Sequence, residues 1–332
     1  MLTTSLQDLK TWYNETMSLA DPRADGYPLL DSPDKMLAMI GLYLFTVWQG
    51  PKWMVPYKPW NIKTTIIVYN FAMVILSSYI SLSSVYGIYN AGGYSIFCDE
   101  MEKYQFDDAS GMKYFVSING CDKSSLKKKS CTKVVCKSGL YISKYVRVGW
   151  LFFISKLIEF LDTIFFVVRK KNNQITFLHV YHHATMTVFT WLGVKFLPGG
   201  TNIIYPLINS FIHAVMYTYY GLSACGPHMA KYLWWKKYLT RMQISQFVIF
   251  LSQGVLNAVY DCRFSKVFVY AVFIYTFTIL LLFINFYVRA YILKSSAPKR
   301  QVASKNGHAM TNGDAVKTNG DTVKNGSSKK QE

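Results

Sequence analysis

Charge is what this chain has least of. Only 16% of its 332 residues are Asp, Glu, Lys or Arg, against 51% hydrophobic. A soluble domain carries about a quarter charged residues, so a water-soluble globular protein is excluded unless much of the surface faces lipid. Acidic residues are scarcer than basic ones, 18 against 36. The N-terminus lacks the basic stretch and apolar core of a cleavable signal peptide, which leaves the first apolar run as the expected membrane address. Histidine is scarce too, at six.

What is abundant is long apolar sequence. Runs near 36–50, 64–90, 148–168, 177–197, 203–223, 242–260 and 266–292 are mostly close to the roughly 20 residues that cross a bilayer as a helix. The first is short, and the fourth carries histidines and a lysine. The expectation is an all-α, polytopic membrane protein of about seven transmembrane helices, with the lipid bilayer as its first partner. The net charge of +18 is not read as a nucleic-acid footprint, and no nucleic-acid partner is expected.

The distribution of Lys and Arg sets the orientation. Acidic residues dominate 1–35, whereas basic residues dominate 293–332, so the tail is expected in the cytosol and 1–35 in the lumen. Loops 51–63, 169–176 and 228–241 then face the cytosol, and they carry three, three and four Lys/Arg with no Asp or Glu. The long 91–147 loop is lumenal in this topology despite ten Lys/Arg, and such long loops count little in the rule. Asn14-Glu15-Thr16 is a lumenal glycosylation sequon at Asn14. The domain plan is a 1–35 lumenal segment, a 36–293 membrane catalytic domain and a 294–332 tail. That tail is rich in Lys, Asn, Gly and Ser and is expected to be disordered. It ends Lys329-Lys330-Gln331-Glu332, the form of a dilysine signal for retrieval to the endoplasmic reticulum. Cys98, Cys121, Cys131, Cys136 and Cys262 share the predicted lumenal side, where disulfides are permitted; free or metal-binding thiols are the alternative.

The spans hold costly polar groups, and these point to function. His179, His182 and His183, at i, i+3 and i+4, share one helix face. Lys156, Glu159 and Asp162 cluster on one side of another helix, where the cation can be paired. His213, Met216, Tyr217 and Tyr220 line a third face, with Asn209 one turn earlier, and Thr240, Gln243 and Gln246 open a fourth. A metal is not expected, because adjacent His182 and His183 point in different directions. His228 and His308 lie in a loop and the tail. The remaining four histidines are too few for the several histidine boxes of a membrane di-iron oxygenase. A seven-span receptor or transporter would explain the span count, but not these clusters.

Four motifs together resemble one family. Lys156-x-x-Glu159-x-x-Asp162-Thr163, His179-x-x-His182-His183, His213-x-x-Met216-Tyr217-x-Tyr219-Tyr220 and Thr240-x-x-Gln243-x-x-Gln246 look like the signature motifs, in order, of the very long chain fatty acid elongases. These are condensing enzymes of the endoplasmic reticulum membrane. The resemblance runs over roughly 30–295. The context Asn172-Asn173-Gln174 before His179 looks like the branch acting on polyunsaturated acyl chains, nearest the fourth vertebrate type. The departure is a longer insertion near 104–138. The family pattern implies a Cys98–Cys262 disulfide.

The resemblance implies a 3-oxoacyl-CoA synthase, which joins acyl-CoA to malonyl-CoA and releases carbon dioxide and CoA. No cofactor beyond these substrates is expected. No cysteine lies near the histidine box, so a histidine is the candidate nucleophile. His182 is expected to take the acyl group, with His179, His183 and His213 positioning it, moving protons and stabilising charge. Lys156, Glu159 and Asp162 would orient the histidines, and Asn209, Tyr217 and Gln243 would meet the thioester or the malonyl carboxylate. Arg169, Lys170, Lys171, Lys236, Lys237 and Arg241 are candidates for CoA phosphates. The acyl chain would fill a tunnel between helices. The expected protein partners are the reductase and dehydratase of the elongation cycle, and a homo-oligomer or a hetero-oligomer with other elongases.

Overall fold

The structure is a computed structural model that describes residues 2–90, 104–107, 113–116, 146–260 and 266–293. Cys98, Cys121, Cys131, Cys136, Cys262 and the 294–332 tail with Lys329 and Lys330 lie outside the described residues. Helices dominate: α1 (Leu2–Ser18), α2 (Pro33–Trp53), α3 (Lys63–Asn90), α4 (146–158), α5 (Phe160–Val168), α6 (Phe177–Phe196), α7 (Ile204–Cys225), α8 (Lys236–Val259) and α9 (Lys266–Tyr287), the last running into a π-helical turn at Val288–Leu293. The expectation of an all-α chain needs one amendment. Within the 104–138 insertion, Tyr104–Asp107 and Lys113–Val116 pair as antiparallel strands.

Local chemistry explains the helix ends. Ser32 is extended and Pro33 opens α2, where its missing N–H costs nothing. Thr176 caps α6 by accepting the His179 backbone N–H. Gly226, at a φ of 131°, ends α7 in a conformation that favours glycine. The expected 148–168 span is broken in two at Glu159. There the Asp162 N–H bonds the Glu159 carbonyl three residues back, a one-turn tightening in an otherwise continuous rod.

Among the described residues, three helices are long and apolar enough to cross a membrane: Lys63–Tyr89, Lys236–Val259 and Lys266–Leu293. Their outward side chains, such as Ile75, Leu82 and Ile274, are largely exposed. Helices α6 and α7 stand inside the bundle and carry the histidines, whose polarity lowers their hydropathy.

Helix α3 lies along α7, α2 against α5 and α6, and α8 between α7 and α9. Close approach depends on small residues. A Cβ at Gly221 would touch Asn70 and Phe71 at 3.4 Å, and Ser81 reaches across from α3 to the Leu207 carbonyl. A Cβ at Gly50 would lie 2.9 Å from Val167 Cγ1 on α5. Valine is stiff at χ1, so Gly50→Ala should cost about 1–3 kcal/mol through overpacking. Thermal unfolding of the two proteins in detergent checks this.

The connections of the bundle sort to two ends. The Trp60 N–H bonds the Val168 carbonyl, Lys170 Nζ bonds the Val55 carbonyl, and Lys63 Nζ lies by Gly226. The 54–62, 169–176 and 226–235 connections therefore share one end, with exposed Trp53, Trp60 and Trp234 around it. At the opposite end the 21–30 segment is strapped to α4 and α6. Trp150 Nε1 donates to the Pro28 carbonyl, Trp191 Nε1 to the Leu29 carbonyl, and Lys195 Nζ pairs with Asp25 at 2.9 Å. Ala24 and Leu30 are fully buried in the α2–α4–α6 core. From the 1–35 segment, Met17, Tyr27 and Leu29 also pack against that core.

Candidate active site

The four histidines stand at the contact of α4–α5, α6 and α7, and each ring has different surroundings. His179 Nε2 lies 2.7 Å from Thr163 Oγ1, and the same hydroxyl bonds Tyr43 OH at 3.3 Å. His183 is buried against His179, with ring centroids 4.3 Å apart, and its Nδ1 is 3.8 Å from Glu159 Oε2. His213 Nδ1 is 3.0 Å from Glu159 Oε1, without the alignment of a hydrogen bond. His182 packs edge-on against His183 at 5.4 Å and near Phe283 at 6.4 Å. Its ring makes no hydrogen bond to the described residues.

Glu159 is the hub. It is 1% exposed, and Lys156 Nζ, on a side chain 2% exposed, donates to its Oε1 at 2.7 Å. The same ammonium donates to Asn209 Oδ1 at 2.8 Å and sits 4.8 Å from the centroid of the Phe152 ring. Asn209 Nδ2 extends the chain to Gln246 Oε1 at 3.4 Å. One cation, one anion and an amide relay thus link α4, α7 and α8 around the histidines, so neither charge is left alone in the interior.

Asp162 does not join this set, contrary to the expected Lys–Glu–Asp cluster. Its Oδ2 accepts the Tyr217 hydroxyl at 2.7 Å instead. The break at Glu159 lies between the two carboxylates and hands Asp162 to α7. Gln243 meets Met216 Sδ at 3.5 Å, and Tyr220 is 43% exposed beside Tyr217. Thr163, Tyr43 and Phe152 hold motif residues in place. Only Thr163 carried a signal in the sequence, by adjoining Asp162.

The basic candidates lie at the end of the bundle that carries the 169–176 and 226–235 connections. Arg241 Nε donates to Tyr287 OH at 2.9 Å, Lys237 lies over the Tyr238 ring, and Lys171 and Lys236 are exposed. Lys170 is held by Val55, and Arg169 is half-buried. Asn14 is exposed on α1.

A cavity of about 110 Å³ begins at the histidines. Of the four, only His182 lines it, and Asn209 and Gln246 share that wall. Beyond them the lining is apolar and aromatic, including Phe152, Met186, Phe189, Phe247, Phe250 and Tyr275, as far as Leu197–Gly199. From His182 to Leu197 the lining follows α6 for about 22 Å at 1.5 Å per residue. The arrangement is an imidazole at the head of a narrow, largely apolar channel. It suits a molecule with one polar, reacting end and a long hydrocarbon body.

Residues 28–299 match the ELO: GNS1/SUR4 family. The chain is 38% identical to very long chain fatty acid elongase 4 of Homo sapiens over 330 residues, covering 99% of this chain and 94% of that protein. It is 37% identical to elongase 5 of Xenopus tropicalis over 293 residues, 87% of each chain. It is 38% identical to elongase 7 of Rattus norvegicus over 291 residues, 87% of this chain and 92% of the other. The chain is an enzyme and belongs to the ELO: GNS1/SUR4 family, that of the very long chain fatty acid elongases.

Proposed function

We propose that this chain is a very-long-chain 3-oxoacyl-CoA synthase of the endoplasmic reticulum membrane, which condenses acyl-CoA with malonyl-CoA. The observation that carries the reading is the position of His182. Of the four histidines it alone lines the apolar channel, whereas His179 Nε2 lies 2.7 Å from Thr163 Oγ1 and His183 and His213 face the buried Glu159 carboxylate at 3.8 Å and 3.0 Å.

The steps follow from that position. The unprotonated nitrogen of His182 attacks the acyl thioester carbonyl. The carbon–sulfur bond breaks, and CoA leaves with the proton released by the imidazole. Malonyl-CoA then binds and loses carbon dioxide, and the carbon–carbon bond electrons remain as an enolate. The enolate carbon attacks the acyl-imidazole and expels the imidazole, which takes up one proton. The product is a 3-oxoacyl-CoA two carbons longer. Asn209 and Gln246 present amides where the oxyanion develops, and the Lys156–Glu159 pair keeps His183 and His213 in register. An acyl-imidazole hydrolyses readily, and an apolar, enclosed channel keeps water from it.

The channel is the acyl tunnel in this reading. Its span of about 22 Å exceeds the depth of one leaflet of a hydrocarbon core roughly 30 Å thick, in keeping with very long chains. Its aromatic walls favour polyunsaturated chains, whose double bonds add π contacts. Helices α2, α3, α4 with α5, α6, α7, α8 and α9 make seven crossings, with the N-terminal segment lumenal and the basic connections cytosolic. CoA phosphates then meet Arg169–Lys171 and Lys236–Arg241 at the cytosolic mouth. The product passes to the reductase and dehydratase of the cycle, and the chain assembles with itself or other elongases.

The test supplies radiolabelled malonyl-CoA and a panel of saturated and polyunsaturated acyl-CoAs to microsomes from cells expressing the chain. Label in a two-carbon-longer 3-oxoacyl product, above host background, is the expected result. A response to ligand with no such product would point to a receptor or transporter instead.

Thr163→Val removes the hydroxyl at His179 Nε2 and keeps the shape. It should lower turnover by about 10-fold to 100-fold, the usual scale for an orienting partner, with little change in the KM for acyl-CoA. Steady-state kinetics on the two enzymes check it.

A further inference from the structure

The aromatic part of the channel lies at a set depth from the reacting end. Along α6 the lining falls on one face, at His182, Met186, Phe189, Gly193 and Leu197, so position on that helix measures depth. Phe189 comes two turns after His182, about 10 Å deeper at 1.5 Å per residue. Its ring stacks on Tyr275 of α9, with centroids 4.4 Å apart and 21° between the planes. The Tyr275 hydroxyl donates to Met186 Sδ at 3.6 Å, which holds that ring against α6. Tyr205 of α7 and Phe250 of α8 also line the channel and form a second pair, 4.7 Å apart, in the same packed cluster. Farther along, α6 presents Gly193, Val194 and Leu197, and α9 presents Val272 and Phe268. Four helices thus close an aromatic collar between the His182 head and a mainly aliphatic far part.

We infer that this collar, with Phe189 and Tyr275 at its centre, selects acyl chains by where their cis double bonds lie, counted from the thioester. This rests on the proposed function and deepens it. A thioester held at His182 places the same stretch of every chain between the rings, whatever the length of the chain. A cis double bond in that stretch lays its flat π face against the stacked pair and turns the chain where the rings leave room. At another depth the bend meets walls packed too tightly to yield, and the rings meet only methylenes. The methyl end gives no such reference, because chains of different length end at different depths.

The experiment gives full-length enzyme in membranes acyl-CoAs of equal length and equal unsaturation whose double bonds are shifted along the chain, with the saturated acyl-CoA of that length beside them. Relative kcat/KM is read from the products by mass spectrometry. The parent should favour the isomer whose double bond reaches the collar by about 3-fold to 10-fold, the scale of an aromatic contact. Adding carbons at the methyl end should leave the favoured position unchanged. Phe189→Leu and Tyr275→Leu should each bring the isomers towards equality, whereas Tyr275→Phe, which keeps the ring and loses only the sulfur contact, should retain the preference. Each reading is a ratio between substrates in one preparation, so a lower yield or stability of a variant does not move it. A parent indifferent to double-bond position, a favoured position that moves with the methyl end, or an unchanged preference in both leucine variants would overturn the inference. Absence of condensation by the parent with saturated and unsaturated chains alike would overturn the function on which it rests.

Discussion

His182→Ala should remove malonyl-dependent extension, with a loss of about 10³-fold or more, the scale on which deleting a nucleophile acts. The variant should fold normally, because the His182 ring lines a cavity and makes no hydrogen bond to the described residues. Chemistry and stability therefore separate at this residue. The direct readout is intact mass after incubation with acyl-CoA alone. The parent should gain one acyl group and release one CoA, and the variant should gain none. A parent enzyme that condenses but never carries an adduct would rule out the acyl-imidazole. It would leave His182 as the base of a direct condensation.

The second large effect is at Glu159. Glu159→Ala leaves Lys156 as an uncompensated ammonium in the interior, which should cost about 3–5 kcal/mol, and also frees His213. Activity and thermal stability in detergent should fall together. A double variant separates the two. Lys156→Met with Glu159→Leu replaces the pair by apolar side chains of similar size. Such replacements are often neutral for stability, so the unfolding temperature should return towards the parent value. Activity should not return, because the anion facing His183 and His213 is still absent. Recovery of both would mean that the ion pair only fills space.

Much of this fold was legible in the sequence because helix formation is local. The runs at 64–90, 242–260 and 266–292 correspond closely to α3, α8 and α9, and α6 and α7 carry their motif residues where the spacing put them. The constellation was legible as a set as well. Lys156, Glu159, Asn209, His213 and Gln246 meet, although they come from three helices. What periodicity could not show is where each face points once helices cross. Asp162 shares spacing with Glu159 yet bonds Tyr217, because the tightened turn at Glu159 stands between them. The expectation that His182 takes the acyl group came with the resemblance, because the spacing in His-x-x-His-His does not by itself distinguish the ring at the channel from those beside Thr163 and Glu159. That choice depends on the packing of α6 against α5, α7 and α9. The burial of Ala24 and Leu30 was illegible for a similar reason, since much of the core they join, including Val146, Phe153, Trp191 and Val194, lies more than a hundred residues away.

That last separation has a consequence for how the protein is made. Trp191 and Lys195 are 162 and 170 residues downstream of their partners Leu29 and Asp25. At about 5–20 residues per second, a ribosome needs on the order of ten to thirty seconds to supply them. Throughout that interval α4 and α6 are absent, so the 21–30 segment can fasten to them only after they have been synthesised. A segment made before α4 and α6 is fastened to them only at a late stage. A newborn molecule is therefore unclasped at one end while the spans carrying its chemistry are still being added.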